Sequence, residues 1–194
     1  MSEDDYRLHG PRNPSPWVMR FLGGVKVGGD ILDVACGAGR HLHLALDEGY
    51  RVTGIDKDLT CVEELGARRD VSLIEADLEA GRPFPLRDMR YDGVIVTNYL
   101  WRDILDDIIG CVADDGILIF ETFAAGHERH GKPSNPDFLL KNNELLEVVL
   151  PRLVVVAYEH GQRQSDHPKI VQRIAACGPG HRWACEEHIP LNLA

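Results

Sequence analysis

The 194-residue chain lacks several features that would point to particular classes of protein. No apolar run is long enough to cross a membrane, and the acidic, proline-broken start has neither the positive charge nor the apolar core of an export signal. No dense run of Lys or Arg offsets the formal charge of −10. Because phosphate binding depends on clustered basic side chains, we expect neither nucleic acid nor an anionic membrane as a partner.

Cysteine is also scarce, and its number is odd. The five cysteines are scattered through stretches with the pattern of buried elements, which favours reduced thiols over a disulfide framework and predicts a cytoplasmic protein. The hydrophobic content of 44% is typical of a soluble globular protein. A chain of this length fits one domain with a sizeable core, which we expect to act as a monomer or homodimer.

From residue 30 onward, apolar runs of β type alternate with stretches of helical periodicity. Before them, Ser15 and Pro16 predict the start of a short helix. The alternation predicts a single-domain α/β protein with a doubly wound, mostly parallel sheet and helices on both faces. The predicted strands are "DILDVAC", "YRVTGID", "VSLIEAD", "YDGVIVTN" and "ILIFETF", and the predicted helices between them are "GRHLHLALDEG", "LTCVEELGARR" and "YLWRDILDDIIGCVA".

The pattern changes after the fifth predicted strand. Residues 124–143 form a long connection, which we interpret as a lid because loops of this length in a compact domain are usually functional. Two later β-rich runs, "RLVVVAYEHG" and "KIVQRIAAC", predict an antiparallel pair at one edge of the sheet. The chain thus divides into an N-terminal arm and helix (1–29), a main domain (30–177) and a C-terminal tail (178–194).

A glycine turn follows the first predicted strand. Gly37 and Gly39 open a helix there, where backbone N–H groups can approach a ligand closely. A dinucleotide fingerprint would place a third glycine where the chain has Leu42, and the Asp33 carboxylate would repel a pyrophosphate. Asp33 would instead attract a ligand that carries an ammonium and a sulfonium group, and S-adenosylmethionine (SAM) carries both. Asp33 is then a counter-charge for its amino-acid end, the alternative being a strand-end residue bonded to nearby N–H groups.

Two more carboxylates follow the next two strands. Asp56 stands where a carboxylate can accept hydrogen bonds from both hydroxyls of a ribose, and Lys57 after it is placed to lie along an adenine. Helix capping is the alternative role for Asp56. Asp77 ends the third strand and is expected to bind the adenine amino group, with the N–H of Leu78 beside it. The sequence therefore predicts three carboxylates at the carboxyl edge of one sheet.

These motifs resemble those of class I SAM-dependent methyltransferases over residues 14–177. The resemblance rests on "LDVACGAGRH", "GIDKD", "EADLE" and "YDGVIVTNYLWRDIL", which stand in the order of that family. More narrowly, "ILIFETF" and "HGKPSNPDFLLKNNELLE" are similar to small bacterial methyltransferases of the tellurite-resistance type. The resemblance implies a Rossmann-like, seven-stranded sheet of order 3-2-1-4-5-7-6 with strand seven antiparallel, and SAM as the cofactor with S-adenosylhomocysteine (SAH) as its product.

The resemblance also implies roles for individual residues. Around the glycine turn and after strand four, the expected cofactor contacts are Asp33, Ala35, Gly37, Gly39, Arg40, Asp56, Lys57, Asp77, Leu78 and Asn98. Trp17, Tyr99 and Arg102 are expected near a small-molecule acceptor. If the acceptor must lose a proton, the candidate bases are Tyr99, His127, His130 and Glu121, whereas a soft anion would need none. For the two histidines, the alternative is exposure to solvent on a polar loop.

Other interpretations of the chain stay open. A nicotinamide-dependent oxidoreductase is disfavoured by Leu42 and Asp33, while a module that binds SAM without transferring its methyl group would share the same motifs. In the tail, Cys177, His181, Cys185 and His188 follow no established zinc spacing, so we predict no metal site. The expected function is methyl transfer from SAM to a small-molecule acceptor by in-line displacement.

Overall fold

The computed structural model describes residues 13–163 and 168–185. They form a seven-stranded sheet of order β3-β2-β1-β4-β5-β7-β6. The strands are β1 Asp30–Val34, β2 Arg51–Asp56, β3 Val71–Glu75, β4 Tyr91–Thr97, β5 Val112–Phe123, β6 Val154–Arg163 and β7 Lys169–Cys177. The α-helices are α1 Pro16–Phe21, α2 Arg40–Asp47, α3 Leu105–Gly110 and α4 Glu144–Val149. The 3-10 helices are Leu22–Gly24, Glu63–Ala67, Arg102–Ile104, His127–Arg129, Pro136–Phe138 and Arg182–Ala184.

The sheet has the predicted order and directions. The first five strands pair in parallel, whereas β7 pairs antiparallel with both β5 and β6. Strand β1 lies between β2 and β4, so the chain reverses its direction of travel across the sheet at this point. In open α/β sheets a ligand binds beyond the carboxyl ends of the strands at such a reversal. The topology therefore locates a binding site just after β1 and β4.

Alternate residues of β1 face opposite layers of helices. Leu32 and Val34 belong to one apolar cluster with residues of α3 and α4, and Ile31 belongs to another with residues of α1 and α2. Side chains alternate along a strand, so Asp33 points to the same layer as Ile31. This places a carboxylate inside the apolar layer beneath α1 and α2, where only 1% of its surface is exposed.

Two predicted elements differ from the structure. The helix expected between β2 and β3 is only the 3-10 helix Glu63–Ala67. The β-branched Thr60 and Val62 and the flexible Gly66 disfavour an α-helix there, although Val62 and Leu65 still bury their side chains. In addition, the helix expected after β4 is shorter than predicted, because α3 has six residues and follows a separate 3-10 turn.

Strand β5 begins earlier than predicted. Residues 114–116, which precede the predicted strand "ILIFETF", lie within β5, where the pairing with β4 shifts between Tyr91 and Gly93. A Cβ at Gly116 would meet the carbonyl oxygen of Tyr91 at 2.7 Å, so this irregular stretch requires a residue without a side chain. The Asp-Asp-Gly sequence therefore marks a bulge in the ladder and not its beginning.

The described part of the tail docks at the end of the sheet opposite the predicted site. The ring Nε2 of His181 donates a hydrogen bond of 2.9 Å to the carbonyl of Gly24, and Arg182 donates one to the carbonyl of Gly23. Trp183 packs edge-on against Phe21. Residues 186–194, including His188, lie outside the described residues. Within the described ranges, no group of three or more His, Cys, Asp or Glu could hold a metal ion, and no helix is long and apolar enough to cross a bilayer.

Candidate active site

The glycine turn after β1 is tied to the end of β2. The backbone N–H of Gly37 donates a 2.8 Å hydrogen bond to Oδ2 of Asp56, while Oδ1 of the same carboxylate accepts one of 3.1 Å from the N–H of Asp58. A carboxylate offers about four acceptor positions, so both oxygens keep capacity for further donors. The end of β2 thus presents an oriented carboxylate beside the turn.

The two glycines of the turn have different physical reasons to be glycine. Gly37 has φ of 52° and Gly39 has φ of 73°, both in the left-handed region. A Cβ at Gly39 would meet Cγ1 of Val62 at 2.4 Å, whereas a Cβ at Gly37 would enter space with no atom within 4 Å. Gly39 therefore permits packing within the protein, and Gly37 borders an open cradle. Ala35 also has a left-handed φ, of 54°.

Asp33 lies buried beneath this cradle. Its Oδ2 has no hydrogen-bond partner among the described residues, and it is 4.0 Å from Nδ1 of His41. The Nε2 of His41 accepts the N–H of Ser15, so the ring proton is on Nδ1, which faces the carboxyl group. Burial raises the pKa of Asp33 to about 8, against the opposing effect of Arg40, and lowers the pKa of His41 to about 3. Near neutral pH the site thus contains a mostly protonated acid beside a neutral imidazole.

The third carboxylate borders a separate cavity. Asp77 is exposed and accepts the N–H of Glu79 through Oδ1, at 3.0 Å, which fixes the turn after β3. It and the buried Leu78 line a cavity of about 570 Å³ whose apolar walls include Phe84 and Pro85. The dimensions and the apolar lining are suited to a flat heterocycle with a few polar edges. The predicted adenine contacts therefore lie together.

The remaining predicted cofactor residues surround the same edge. Arg40, the first residue of α2, donates a 3.0 Å hydrogen bond to Oγ1 of Thr97 at the end of β4. Asn98 follows with φ of 54°, and its N–H binds the carbonyl of Glu121. Lys57 is exposed after β2. The structure thus brings β1, β2 and β4 to one rim, as predicted, and the individual cofactor contacts stay predictions.

Tyr99 lies closer to the adenine side than to the lid. Its hydroxyl is buried without a hydrogen-bond partner among the described residues. Burial raises the pKa of this phenol, and the nearby carboxylates of Glu79, Asp77 and Asp56 raise it further. A phenol that holds its proton this firmly is a donor and a poor base. The structure therefore does not favour the expected role of Tyr99 as a base.

Residues of the predicted lid line a second, open cavity. Asn98, Phe123 and Phe138 line it together with the loop from Lys132 to Asn135, and its volume is about 510 Å³. It opens at the carboxyl end of β4, next to the cradle of the glycine turn. The two phenylalanines make its walls largely apolar, which is the usual character of a site for a small organic molecule.

The two lid histidines differ in environment. His127 is 3% exposed and stacks on Phe123 with 4.4 Å between the ring centroids. Its Nε2 lies 3.1 Å from the carbonyl of Lys132, and a carbonyl only accepts, so Nε2 carries the proton. Its Nδ1 is then an unprotonated, buried nitrogen with no partner among the described residues. His130 is exposed, as the alternative interpretation expected of both histidines.

Arg102 holds the lid with most of its hydrogen-bond donors. It forms a bidentate pair with Glu144, with distances of 2.6 and 3.0 Å, and it donates to the carbonyls of Asp137 and Leu139. Oε2 of Glu144 also accepts the N–H of Lys141. The expected contact of Arg102 with an acceptor is not what this geometry favours, because four of its five N–H donors are already in use. Its observed role is to clamp the loop 136–141 to the rim.

Two further expected site residues are structural. Trp17 is 2% exposed and donates its only polar hydrogen to the carbonyl of Ile174, at 3.1 Å, so it packs α1 onto the sheet and does not fit a substrate contact. Glu121 is 3% exposed, and its Oε1 accepts from the hydroxyl of Ser15 and from Arg163. Its Oε2 accepts from Arg173. Glu121 anchors this corner and is not placed as a free base.

The sequence interpretation missed three residues near the rim. His41, to which the sequence analysis gave no role, lies against Asp33. Arg163 and Lys169 end β6 and begin β7, and they pair directly across the ladder. The sequence signal for the latter pair was that one basic residue lies within the polar connection "QRQSDH" and the other just after it, and its meaning depends on the register of the two strands.

The chain matches a known family over part of its length. Residues 31–116 match the family described as a methyltransferase domain, which is less than half of the chain. This segment runs from β1 into β5 and contains the glycine turn and the three carboxylates. Among curated proteins, none matches the chain significantly.

Solved structures share the fold at low sequence identity. TehB from Haemophilus influenzae superposes with a TM-score of 0.62 and 20% identity, and the alignment covers 81% of this chain and 60% of TehB. The 1,6-didemethyltoxoflavin-N1-methyltransferase of Burkholderia thailandensis, solved with its substrate and SAH, gives 0.61 and 16% over 89% of this chain and 79% of its own. The [4+2]-cyclase SpnF gives 0.60 and 16% over 84% and 78%.

The domain match over residues 31–116 and the shared fold agree with the class that the motifs resembled, and SAH is bound in one of the solved structures that share this fold. The likeness to TehB that the motifs suggested is confirmed at the level of the fold. The chain spans about 60% of the length of TehB, and SpnF has a similar fold with a different reaction in its name. The acceptor therefore has to be inferred from this chain's own residues.

Proposed function

We propose that the protein transfers the methyl group of SAM to a small-molecule acceptor. The observation that carries the proposal is that an open glycine cradle, an oriented Asp56 and a largely apolar cavity lie at one rim of the sheet. Bound SAM would supply an electrophilic methyl group, whose carbon–sulfur bond breaks as the bond to the acceptor forms and whose sulfur keeps the electron pair as SAH.

The residues of the first three strands fit this cofactor. The unpartnered Oδ2 of Asp33 is a buried polar atom that calls for a donor, and an ammonium group is a suitable one, directly or through water. Asp56 has acceptor capacity left for two ribose hydroxyls. The open space at Gly37 admits a ligand against the backbone. Asp77 and Leu78 are assigned to the adenine.

The acceptor is assigned to the cavity beneath the lid. Its apolar walls and the Arg102 clamp would hold a small molecule near the methyl group and exclude water, and such positioning can lower a barrier by about 7–11 kcal/mol. If the acceptor atom carries a proton, the Nδ1 of His127 is our candidate to accept it, since it is the unprotonated nitrogen of a buried ring. If the acceptor atom is already anionic, no base is required.

Two other functions make different predictions. A module that binds SAM without transferring its methyl would show cofactor binding and no turnover with any acceptor. A nicotinamide-dependent oxidoreductase would bind NAD, against the position of Asp33 beside the turn. All five cysteines are free thiols in the structure, and on this ground we also propose a cytoplasmic protein.

Calorimetric titration of the purified protein with SAM, SAH and NAD tests the proposal. We expect micromolar binding of the two sulfur ligands and no binding of NAD. Binding of NAD alone would favour the oxidoreductase. Formation of SAH from SAM in the presence of candidate acceptors, followed by chromatography, then separates a transferase from a binding module.

A further inference from the structure

Two cations face each other at the acceptor side of the rim. Arg163 is the last residue of β6, Lys169 is the first of β7, and the two are directly paired in the antiparallel register. Directly opposed residues of such a pair project to the same face of the sheet, and like charges there destabilise the pairing. In a chain with a net charge of −10, this placement calls for an explanation.

Of these two cations, only Arg163 has an ion-pair partner among the described carboxylates. Arg163 lies 3.2 Å from Oε1 of Glu121, whose other oxygen binds Arg173. Within residues 13–163 and 168–185, no carboxylate lies within the 4.0 Å ion-pair distance of the Lys169 ammonium. Lys169 is nonetheless half-buried. Its pKa is lowered by burial and by the positive charges of Arg163 and Arg40, with Glu121 acting in the opposite direction.

The ammonium of Lys169 lies next to the cavity beneath the lid. It stands over the ring of Phe123 at 5.4 Å from the centroid, and Phe123 is one of the aromatic walls of that cavity. Phe138 and Pro133 add apolar surface. A largely apolar cavity that has Lys132 in its lining and the Lys169 ammonium beside its Phe123 wall is complementary to a molecule with an apolar body and a negative group.

We propose that the methyl acceptor is a small organic acid, whose apolar body lies between Phe123 and Phe138 and whose anionic group pairs with Lys169. This inference rests on the proposed function, since it takes the cavity to be the acceptor site. A neutral acceptor would leave the half-buried ammonium without an ion-pair partner among the described residues. A bare inorganic oxyanion would use the cation and leave the apolar walls unfilled.

The test uses matched pairs of acids and their neutral amides on the SAH complex of the full chain. The probes are benzoate with benzamide, 3-phenylpropionate with its amide, and indole-3-acetate with its amide, and ligand-observed NMR measures their dissociation constants. Selenite and phosphate serve as inorganic anions. The variants are Lys169→Gln, the charge-preserving Lys169→Arg, and Lys26→Gln. The last removes a charge from an exposed side chain paired with Asp92, before β1 at the opposite end of the sheet.

We expect at least one acid to bind about tenfold more tightly than its amide, and Lys169→Gln to remove that preference. Lys169→Arg should retain most of it, and Lys26→Gln all of it. SAH affinity should be the same in every variant. Because it relieves a like-charge pair, Lys169→Gln should have a melting temperature in the absence of acid no lower than that of the unmodified protein.

Three results would overturn the inference: no acid bound more tightly than its amide, an unchanged acid preference in Lys169→Gln, or inorganic anions bound as tightly as the organic acids. Each of these can occur while SAH still binds, and then only the choice of acceptor is wrong. Failure of SAH to bind the unmodified protein would instead refute the proposed function itself.

Discussion

The two halves of the active rim are built in different ways. On the cofactor side, a backbone N–H of the glycine turn binds the end of β2, and the three carboxylates lie within two residues of the ends of three adjacent strands. On the acceptor side, the walls come from a loop held by side chains, above all by the clamp between Arg102 and Glu144. Strand ends give fixed positions in the sequence, whereas a clamped loop does not. The cofactor side can therefore be recognised from sequence motifs, whereas the acceptor side can be recognised only from the structure.

The largest effect should come from the cofactor side. Asp56→Ala removes the acceptor for two ribose hydroxyls and for the N–H of Gly37, so we expect SAH to bind about 100-fold more weakly without unfolding of the domain. Calorimetry gives the affinity and a thermal melt gives the stability. The matched control is Asp58→Ala, an exposed acid two residues away, which should change the affinity less than threefold. Equal affinities in the two variants would refute the ribose assignment.

The two glycines sharpen the same comparison. In Gly39→Ala the new methyl group collides with Val62, so the free energy of unfolding should fall by about 2 kcal/mol in a denaturant titration. Gly37→Ala places its methyl group in open space, so the only destabilisation comes from the strain of a left-handed alanine. It should therefore unfold at a higher denaturant concentration than Gly39→Ala. Gly37→Ala should nevertheless bind SAH more weakly than Gly39→Ala, when both are measured on folded protein. Normal SAH affinity in Gly37→Ala would mean that the cradle is not the ligand site.

Asp33 predicts a pH dependence. Its pKa is raised to about 8 by burial, among the charges of Arg40 and Asp56 and beside the neutral His41, and a bound ammonium would favour its ionised form. Binding then releases a proton, so SAH affinity should rise with pH between 6 and 8, by at most about tenfold per unit. Asp33→Asn should flatten this profile. A slope that is the same in both proteins would show that Asp33 does not meet the ammonium.

The same pKa makes a prediction for stability. The unfolded acid titrates near pH 4, so between pH 4 and about 8 the folded protein binds the extra proton, and the contribution of Asp33 to stability declines as pH rises through this window. The decline stops above the folded pKa. Asp33→Asn should remove it, and chemical denaturation at pH 5 and pH 8 measures the difference.

The smallest effect should be on the acceptor side. Arg102→Ala removes the clamp, so amide exchange across residues 124–143 should accelerate about fivefold, a change of about 1 kcal/mol in local opening, while SAH affinity is retained. Arg102→Lys should not restore protection, because an ammonium cannot replace the bidentate contact with Glu144. Loss of SAH binding in Arg102→Ala would show that the two halves of the rim are coupled and not separate.

Sequence reasoning reached the parts of the molecule that depend on neighbours along the chain. Strand alternation predicted the doubly wound sheet, and the rule that parallel strands end at one edge predicted that Asp33, Asp56 and Asp77 would meet. Contacts between distant segments were out of reach. Arg102 meets Glu144 across 42 residues, and Ser15 meets His41 across 26, so neither partner is evident from local spacing.

Strand register is a second feature that could not be predicted from the sequence. Lys169 opposes Arg163 only because β6 and β7 pair with one particular alignment, and a slip of one residue would send Lys169 to the other face. The burial of individual side chains is a third feature that could not be predicted. Trp17 has the amphipathic character expected of a substrate contact, but its position in α1 directs it into the core, where Ile174 accepts its only donor hydrogen.

The most direct test of the central claim is an amide NMR titration of the protein with SAH. The account predicts that the largest shifts fall on Gly37, Gly39 and Leu78, at the ends of β1 and β3, with smaller shifts at Asn98. Saturable shifts confined to other parts of the sheet would contradict it, because SAH would then bind away from the three carboxylates that define the proposed site.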